Sequence, residues 1–183
     1  MIRRLFVAAL LALLPGVAWA QVSGGATVSL NPTATLTLPA TTTAYAAGSL
    51  IANSATAASV VIPTIAAAPI IVRAALRTND ATATAWGGQQ VRVDLWSAAP
   101  TFTNGDRGAW AVATGMGHWL GSMTCTMGTE QGDGAAAACS PDVGSAILLS
   151  LPGGALYWTL DAVSGSGVTG ASGVFTLRLE ESN

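Results

Sequence analysis

The chain has 183 residues, of which only 9% are charged, and its seven basic residues are all arginine. Without Arg3 and Arg4, which belong to the N-terminal segment described next, five basic and nine acidic residues remain, a net charge of −4. Such a chain lacks a basic patch to neutralise nucleic-acid phosphates and a basic amphipathic helix for membrane surfaces, so neither partner is expected.

Residues 1–20 have the organisation of a secretory signal peptide. A cationic start with two arginines precedes an apolar run over residues 5–14, and the segment ends in Ala18-Trp19-Ala20, which makes Gln21 the first mature residue. About ten apolar residues are too few for a helix to span roughly 30 Å of hydrocarbon. The pattern predicts export to the periplasm or extracellular space, with no membrane span after cleavage. A short membrane anchor and a start codon placed too early are the alternatives.

Residues 21–183 are expected to form one domain, because this length supports one ordinary core. Apolar and polar residues alternate from Ala26 to Leu38, with an interruption at Asn31-Pro32, which predicts one or two strands. We interpret residues 21–38 as an N-terminal arm that includes an edge strand or a strand donated to a neighbour.

The segment 70–78 is a further predicted strand. Strict alternation separates its side chains into two sets: Ile71, Arg73 and Arg77 on one face, and Ile70, Val72 and Leu76 on the other. The arginines are expected to face solvent or a partner, and the aliphatic residues to enter the core.

Two later segments have the same alternation. In the strand predicted at 91–96, Val91, Val93 and Leu95 point inward, and in the strand predicted at 174–180 the inward residues are Phe175, Leu177 and Leu179.

Shorter strands are predicted between turn signals rich in Gly, Pro, Asn and Asp. They cover 58–62, 110–114, 119–124, 146–151 and 155–163. The Ala-rich region 44–58 is open to two interpretations, a short helix or a loop with an edge strand. Eight or more short strands predict an all-β fold, an antiparallel β-sandwich or jelly roll.

The two cysteines, Cys125 and Cys139, are expected to form a disulfide, because an even number of cysteines behind a signal peptide favours pairing. Two free buried thiols are the alternative. A zinc site is disfavoured, since the chain has one histidine and no Cys-x-x-Cys with which to complete four ligands.

The sequence contains no convincing catalytic motif, so no enzyme, cofactor or metal is predicted. The lone His118 has no Gly-x-Ser-x-Gly nucleophile near it, and we interpret it as a surface or packing residue beside Trp119. Most of the aspartates lie beside Gly, Asn or Pro, as turn-capping aspartates do. The loop 104–108 lacks the regularly spaced oxygens of a calcium site.

Two of the tryptophans are candidates for a contact surface. Trp96 shares a strand face with Arg92 and Asp94, and Trp86 lies in a loop rich in Thr, Ala and Gly. These four residues are predicted to form either a sugar-stacking platform or a subunit interface. The alternative is that the two rings fill gaps in the packing.

Several segments together resemble a known family. Residues 45–51 begin Tyr-Ala-Ala-Gly, residues 91–106 contain a Pro-Thr-Phe-Thr loop, and residues 156–163 and 175–179 have the composition of a closing hairpin. In this order, with the strand 70–78 between the first two, they resemble small structural proteins encoded among the virion genes of tailed phages. The resemblance implies a capsid-decorating β-sandwich whose partners are copies of itself or the shell protein.

Three functions therefore remain open. The first is a non-enzymatic structural subunit, a phage virion protein as the resemblance implies. The second is a secreted bacterial β-sandwich that acts as a binding module or surface-fibre subunit, for which a signal peptide and a disulfide are natural. The third is an exported hydrolase.

Overall fold

The fold is a two-sheet antiparallel β-sandwich, as predicted. The computed structural model describes residues 28–30, 34–39, 43–53, 60–63, 70–78, 86–129, 137–140, 147–148, 155–164 and 173–182. Their strands are β1 (Val28–Leu30), β2 (Ala34–Thr37), β3 (Ser49–Ile51), β4 (Val60–Pro63), β5 (Ile70–Thr78), β6 (Gln90–Trp96), β7 (Thr101–Phe102), β8 (Val112–Thr114), β9 (Trp119–Thr126), β10 (Gly128–Thr129), β11 (Ala137–Cys139), β12 (Ile147–Leu148), β13 (Ala155–Ala162) and β14 (Val174–Ser182).

The larger sheet has seven strands in the order β1-β14-β5-β11-β10, with β2 also pairing with β14 and β12 with β5. The smaller sheet has five strands in the order β3-β13-β6-β9, with β4 also pairing with β13. All of these pairs are antiparallel. A separate hairpin of β7 and β8 follows β6, and a 3₁₀ turn, Met116–His118, leads into β9.

One apolar core lies between the two sheets, as strict alternation along the strands requires. The inward residues predicted for β6 and β14 are all at most 1% exposed, which confirms both strands. They pack in one cluster with Leu76, Trp158 and Leu160. Full burial of a large aliphatic or aromatic side chain stabilises the fold by roughly 1.5–3 kcal/mol, so this cluster is the main source of stability.

The face predicted for Ile71 is wrong. Arg73 and Arg77 are exposed as expected, but Ile71 is completely buried. The cause is a β-bulge in β5: Arg73 pairs with Glu180 and Ile71 with the next residue, Glu181, so Val72 is an extra residue. One extra residue reverses the alternation and turns Ile71 into the core.

The shorter predicted strands are present within their predicted ranges or close to them. The one predicted at 110–114 is shorter, Val112–Thr114, and those predicted at 119–124 and 155–163 are β9 and β13. In the region 44–58, the described residues 44–53 contain the short strand β3 and no helix, in agreement with the loop and edge-strand interpretation.

The N-terminal segment forms two strands, β1 and β2, one on each side of the predicted interruption in sequence. Both pair with β14 at one edge of the seven-stranded sheet. Ala34, Leu36 and Leu38 are at most 5% exposed. The second half of the predicted arm therefore belongs to the core of the domain, and removing it would expose the interior.

The predicted disulfide between Cys125 and Cys139 is present. Cys125 lies on β9 of the five-stranded sheet and Cys139 on β11 of the seven-stranded sheet. The chain crosses between the sheets at Met127, a buried residue whose N–H donates to the carbonyl of Gln89 at 2.8 Å. The disulfide thus ties the two sheets together next to this crossing.

The predicted signal peptide, residues 1–20, lies outside the described residues. Among the described ones, no helix has the length and apolar character needed to cross a bilayer.

Candidate functional site

The outer face of the five-stranded sheet carries a cluster of polar and aromatic residues beneath a long connection. Residues 97–118 run from β6 to β9 through the β7–β8 hairpin and lie over this face. Backbone hydrogen bonds hold the connection to β3: the Leu50 N–H donates to the Gly108 carbonyl and the Trp110 N–H to the Gly48 carbonyl, both at 2.8 Å.

A small second core forms under this connection. Leu50 and Ala52 are completely buried and pack with Phe102 and Trp110. The Trp96 ring extends the cluster, with its centroid 6.2 Å from that of Phe102 and 6.4 Å from that of Trp110. These separations lie in the range in which aromatic pairs add about 0.5–1.5 kcal/mol beyond area burial.

Next to this second core lie two carboxylates and one arginine, which we call the Asp94–Asp161 cluster (Arg92, Asp94 and Asp161). Arg92 lies directly across the sheet from Asp161, and its Nε donates to Asp161 Oδ1 at 2.9 Å. The same Nε is 3.3 Å from Asp94 Oδ2. The guanidinium also lies over the Trp110 ring, 4.8 Å from its centroid. One cation therefore serves two buried carboxyl groups.

The electrostatics of the cluster favour a protonated carboxyl group. Burial raises the pKa of Asp161 to about 7, and the charge of Arg92 only partly opposes this effect. Burial also raises the pKa of Asp94, against a hydrogen bond from Trp119 and the charge of Arg92. When Asp161 is protonated, it donates a hydrogen bond to Asp94. This hydrogen bond raises the pKa of Asp161 further and partly offsets the increase in the pKa of Asp94. Burial thus disfavours ionisation of both carboxyl groups at once, although both contact Arg92.

Two exposed apolar residues, Met116 and Trp119, lie just before and at the start of β9, and we call them the exposed apolar pair. The Trp119 indole N–H donates to Asp94 Oδ1 at 3.0 Å, while 45% of the residue remains exposed. Met116, in the preceding 3₁₀ turn, is 53% exposed. The hydrogen bond to a buried carboxylate orients the Trp119 ring at the start of β9.

Two of the four residues predicted as a contact surface do not provide one. Trp96 does share the Arg92 and Asp94 face, but residues 97–118 cover it, and its indole N–H donates to Thr159 Oγ1 at 3.0 Å in the interior. Trp86 is also completely buried, between the rings of Tyr45 at 5.4 Å and Phe175 at 5.0 Å. For both tryptophans the alternative of interior packing is correct. Arg92 is half-buried and Asp94 is buried, so neither extends freely from the surface.

A second polar cluster fastens the loop 104–108. Asp106 Oδ1 accepts hydrogen bonds from the Tyr45 hydroxyl and the Ala52 N–H, both at 2.9 Å, and its Oδ2 accepts from Arg107 at 2.8 Å. The Arg107 guanidinium lies over the Tyr45 ring, 4.1 Å from the centroid. Internal donors thus occupy the Asp106 carboxylate. In the described part of the chain, no group of three or more His, Cys, Asp or Glu side chains is placed to hold a metal.

Comparisons of the chain with protein-family models, with curated proteins and with solved structures found no match.

The carboxylate cluster and the exposed apolar pair contain residues that the sequence interpretation does not single out. Asp161 does not lie beside Gly, Asn or Pro, and it belongs to a predicted strand where Tyr157, Thr159 and Asp161 alternate with apolar residues. That alternation is the signal that the carboxylate lies on a sheet face. Met116 and Trp119 carry no comparable signal, because exposure of a large apolar residue depends on packing distant in sequence.

His118 is exposed, in agreement with its interpretation as a surface residue. Its carbonyl accepts a hydrogen bond from the Ser97 N–H at 2.8 Å, a backbone contact that a side-chain truncation leaves intact. We expect His118→Ala to change the free energy of unfolding by no more than about 0.5 kcal/mol. Urea denaturation checks this, and a larger loss would show that the imidazole has a structural role.

Proposed function

We propose that the protein is a non-enzymatic structural subunit that assembles through the free edge of β9. The observation that carries the proposal is the chemistry of this strand. β9 has eight residues, none of them charged, and among the described strands it pairs only with β6. Within the described part of the chain, no strand pairs with the backbone N–H and C=O groups of its outer edge.

Soluble sandwiches usually protect such edges with lysine, proline, bulges or inward-pointing charges. This chain contains no lysine, and β9 contains no proline. The bulge in β9, at Leu120 between the pairs Leu95–Gly121 and Trp96–Trp119, leaves residues 121–126 regularly paired with β6. A long uncharged edge is a template for antiparallel pairing with another strand. Met116 and Trp119 lie at one end of that edge and would be covered by the same partner. The most economical partner is a second copy of the chain, because it supplies an identical edge.

Two settings suit such a subunit. The resemblance of residues 45–51 and 91–106 to phage virion proteins supports a capsid-decorating role, with the shell protein as a further partner. The Cys125–Cys139 disulfide and the signal-like N-terminus support a subunit exported to a bacterial surface, since disulfides persist in oxidising compartments. Capsid genes beside the coding gene would favour the first setting, and chaperone or secretion genes the second.

The experiment places a charge at each end of the β9 edge. Met116→Lys and Thr126→Lys both change exposed residues, so they should leave the core intact. Asn53→Lys with Thr103→Lys is the matched control, since it adds the same charge at exposed positions away from β9. Sedimentation velocity on the oxidised chain from Gln21 onward should show wild type and control as dimers or larger assemblies. The β9 variant should associate at least about tenfold more weakly, because each buried charge must be desolvated.

A third variant examines the other edge. Thr37→Lys charges an exposed position on β2, at the edge of the seven-stranded sheet. If only this variant dissociates the assembly, the docking edge is the N-terminal one and the β9 proposal is wrong. A wild-type chain that remains monomeric at all concentrations and binds no particle or surface would contradict the structural-subunit function itself.

A further inference from the structure

The outer face of the seven-stranded sheet carries a pocket that the proposed assembly through β9 does not use. Its volume is about 230 Å³, and its lining includes Arg73 and Ala75 of β5, Arg178 and Glu180 of β14, and Ser140 after β11. Pockets for drug-sized ligands measure roughly 300–1,000 Å³, so this one suits a group of about monosaccharide size.

The strand register explains the shape of the pocket. Arg178 lies directly across from Ala75, and Glu180 directly across from Arg73. Directly opposite Cβ atoms lie about 5 Å apart and diagonal ones about 7–8 Å, so the two arginines flank the small Ala75 side chain. A methyl group between two long side chains leaves a floor onto which a ligand can settle.

The charges of the lining favour an anion. Arg73 and Glu180 form a loose ion pair at 3.7 Å, with the arginine side chain 69% exposed. Exposed pairs of this kind contribute only about 0–1 kcal/mol and rearrange readily. Arg178 is exposed and has no carboxylate partner within the described residues. The pocket therefore carries a positive charge that is not fully compensated, on a protein whose net charge is negative.

We propose that this pocket binds a sugar acid, a ligand with one carboxylate and several hydroxyl groups. Arg178 and Arg73 supply planar, charged donors that match a carboxylate. Glu180, which would repel a simple anion, accepts hydrogen bonds from sugar hydroxyls, and Ser140 lines the pocket on the opposite, β11 side. The two arginines bind the carboxylate and Glu180 accepts from the hydroxyl groups, so the pocket favours a hydroxylated acid over a simple anion.

The test is a calorimetric titration of the oxidised chain from Gln21 onward with D-glucuronate, acetate, sulfate and glucose. Glucuronate should bind at least about tenfold more tightly than the other three, a difference of about 1.4 kcal/mol. Arg178→Gln should weaken glucuronate binding by a similar factor. Asn53→Glu, which lowers the net charge equally at an exposed site just after β3 of the other sheet, should have little effect. Glu180→Gln should reduce the preference for glucuronate over acetate.

The outcomes separate the possibilities. The proposal would be overturned if glucuronate, acetate and sulfate bound equally well. It would also be overturned if Arg178→Gln and Asn53→Glu lost equal glucuronate affinity, since general charge attraction would then explain the binding. No glucuronate binding by a cooperatively folded wild type would also overturn it. Polygalacturonate and galacturonate are then compared by their affinity per carboxylate group. A higher value for the polymer indicates that the sugar acid belongs to a polysaccharide, and equal values indicate a free monosaccharide. Because the pocket and β9 are on different sheets, the charged β9 variant should bind glucuronate normally.

Discussion

Removal of the Cys125–Cys139 disulfide is expected to lower the free energy of unfolding by about 3 kcal/mol, the chain-entropy value for a loop of about 15 residues. The two cysteines are separated by 14 positions in sequence and lie on different sheets of the sandwich. Without the bridge, the unfolded chain gains freedom in this loop, and the β9 edge loses its covalent tie to β11.

The measurement is guanidinium denaturation of the oxidised protein and of Cys125→Ser with Cys139→Ser. Wild type in reductant serves as the second comparison, since it breaks the bond without changing the sequence. The double variant and the reduced wild type should both be less stable than the oxidised protein, by similar amounts. An unchanged midpoint in either would show that packing at Met127, not the disulfide, holds the sheets together at this crossing.

The stability of the protein should fall as the pH rises from about 4 to about 8. Burial raises the pKa of Asp161 from its ordinary value of 3.8 to about 7 and also raises that of Asp94, so in this interval the folded state binds more protons than the unfolded state. The contribution of Asp161 is complete below pH 3.8 and is lost as the pH passes through about 7. At about 1.4 kcal/mol per pKa unit the upper limit is about 4 kcal/mol. We expect on the order of 2 kcal/mol, because solvent reaches the partly exposed Arg92 side chain and screens the cluster.

Asp161→Asn tests the raised pKa of Asp161 directly. An amide accepts from Arg92 Nε and donates to Asp94 as the protonated carboxyl group does. The variant should match wild type in urea denaturation at pH 5 and exceed its stability at pH 8. Glu180→Gln, at a partly exposed carboxylate, is the control and should leave the slope unchanged. A wild-type stability that is flat or rises over this pH interval would contradict the raised pKa values of the two aspartates.

The strands and the inner core are predictable from the alternation of apolar and polar residues, because a half-buried strand imposes a period of two on its own sequence. Val91, Val93 and Leu95 illustrate this. The pattern misplaced Ile71, since a bulge is set by the partner strand and adds one residue to the count. The alternation also predicts that Trp96 lies on an exposed contact surface. It assigns Trp96 to the correct face of the sheet but does not show whether a distant loop covers that face. Here residues 97–118 cover that face.

The candidate site was only partly accessible from sequence for the same reason. Arg92 and Asp94 are two positions apart, so their common face was predictable. Asp161 joins them only through the β6–β13 register, which brings residues 69 positions apart into contact. The edge position of β9 and the exposure of Trp119 likewise depend on the order of strands in the sheet. Both are properties of the topology and not of any segment.

Hydrogen exchange of the β9 amides tests assembly through this strand most directly. The oxidised wild type should be compared at high and at low protein concentration, with residues 156–161 of the central strand β13 as an internal reference. In an assembly paired at β9, the outward amides of residues 119–126 should exchange at least about tenfold more slowly at high concentration, since they are hydrogen-bonded to the partner. The reference amides should be unchanged. Exchange at β9 that is fast and independent of concentration, in a protein that nevertheless assembles, would contradict the account.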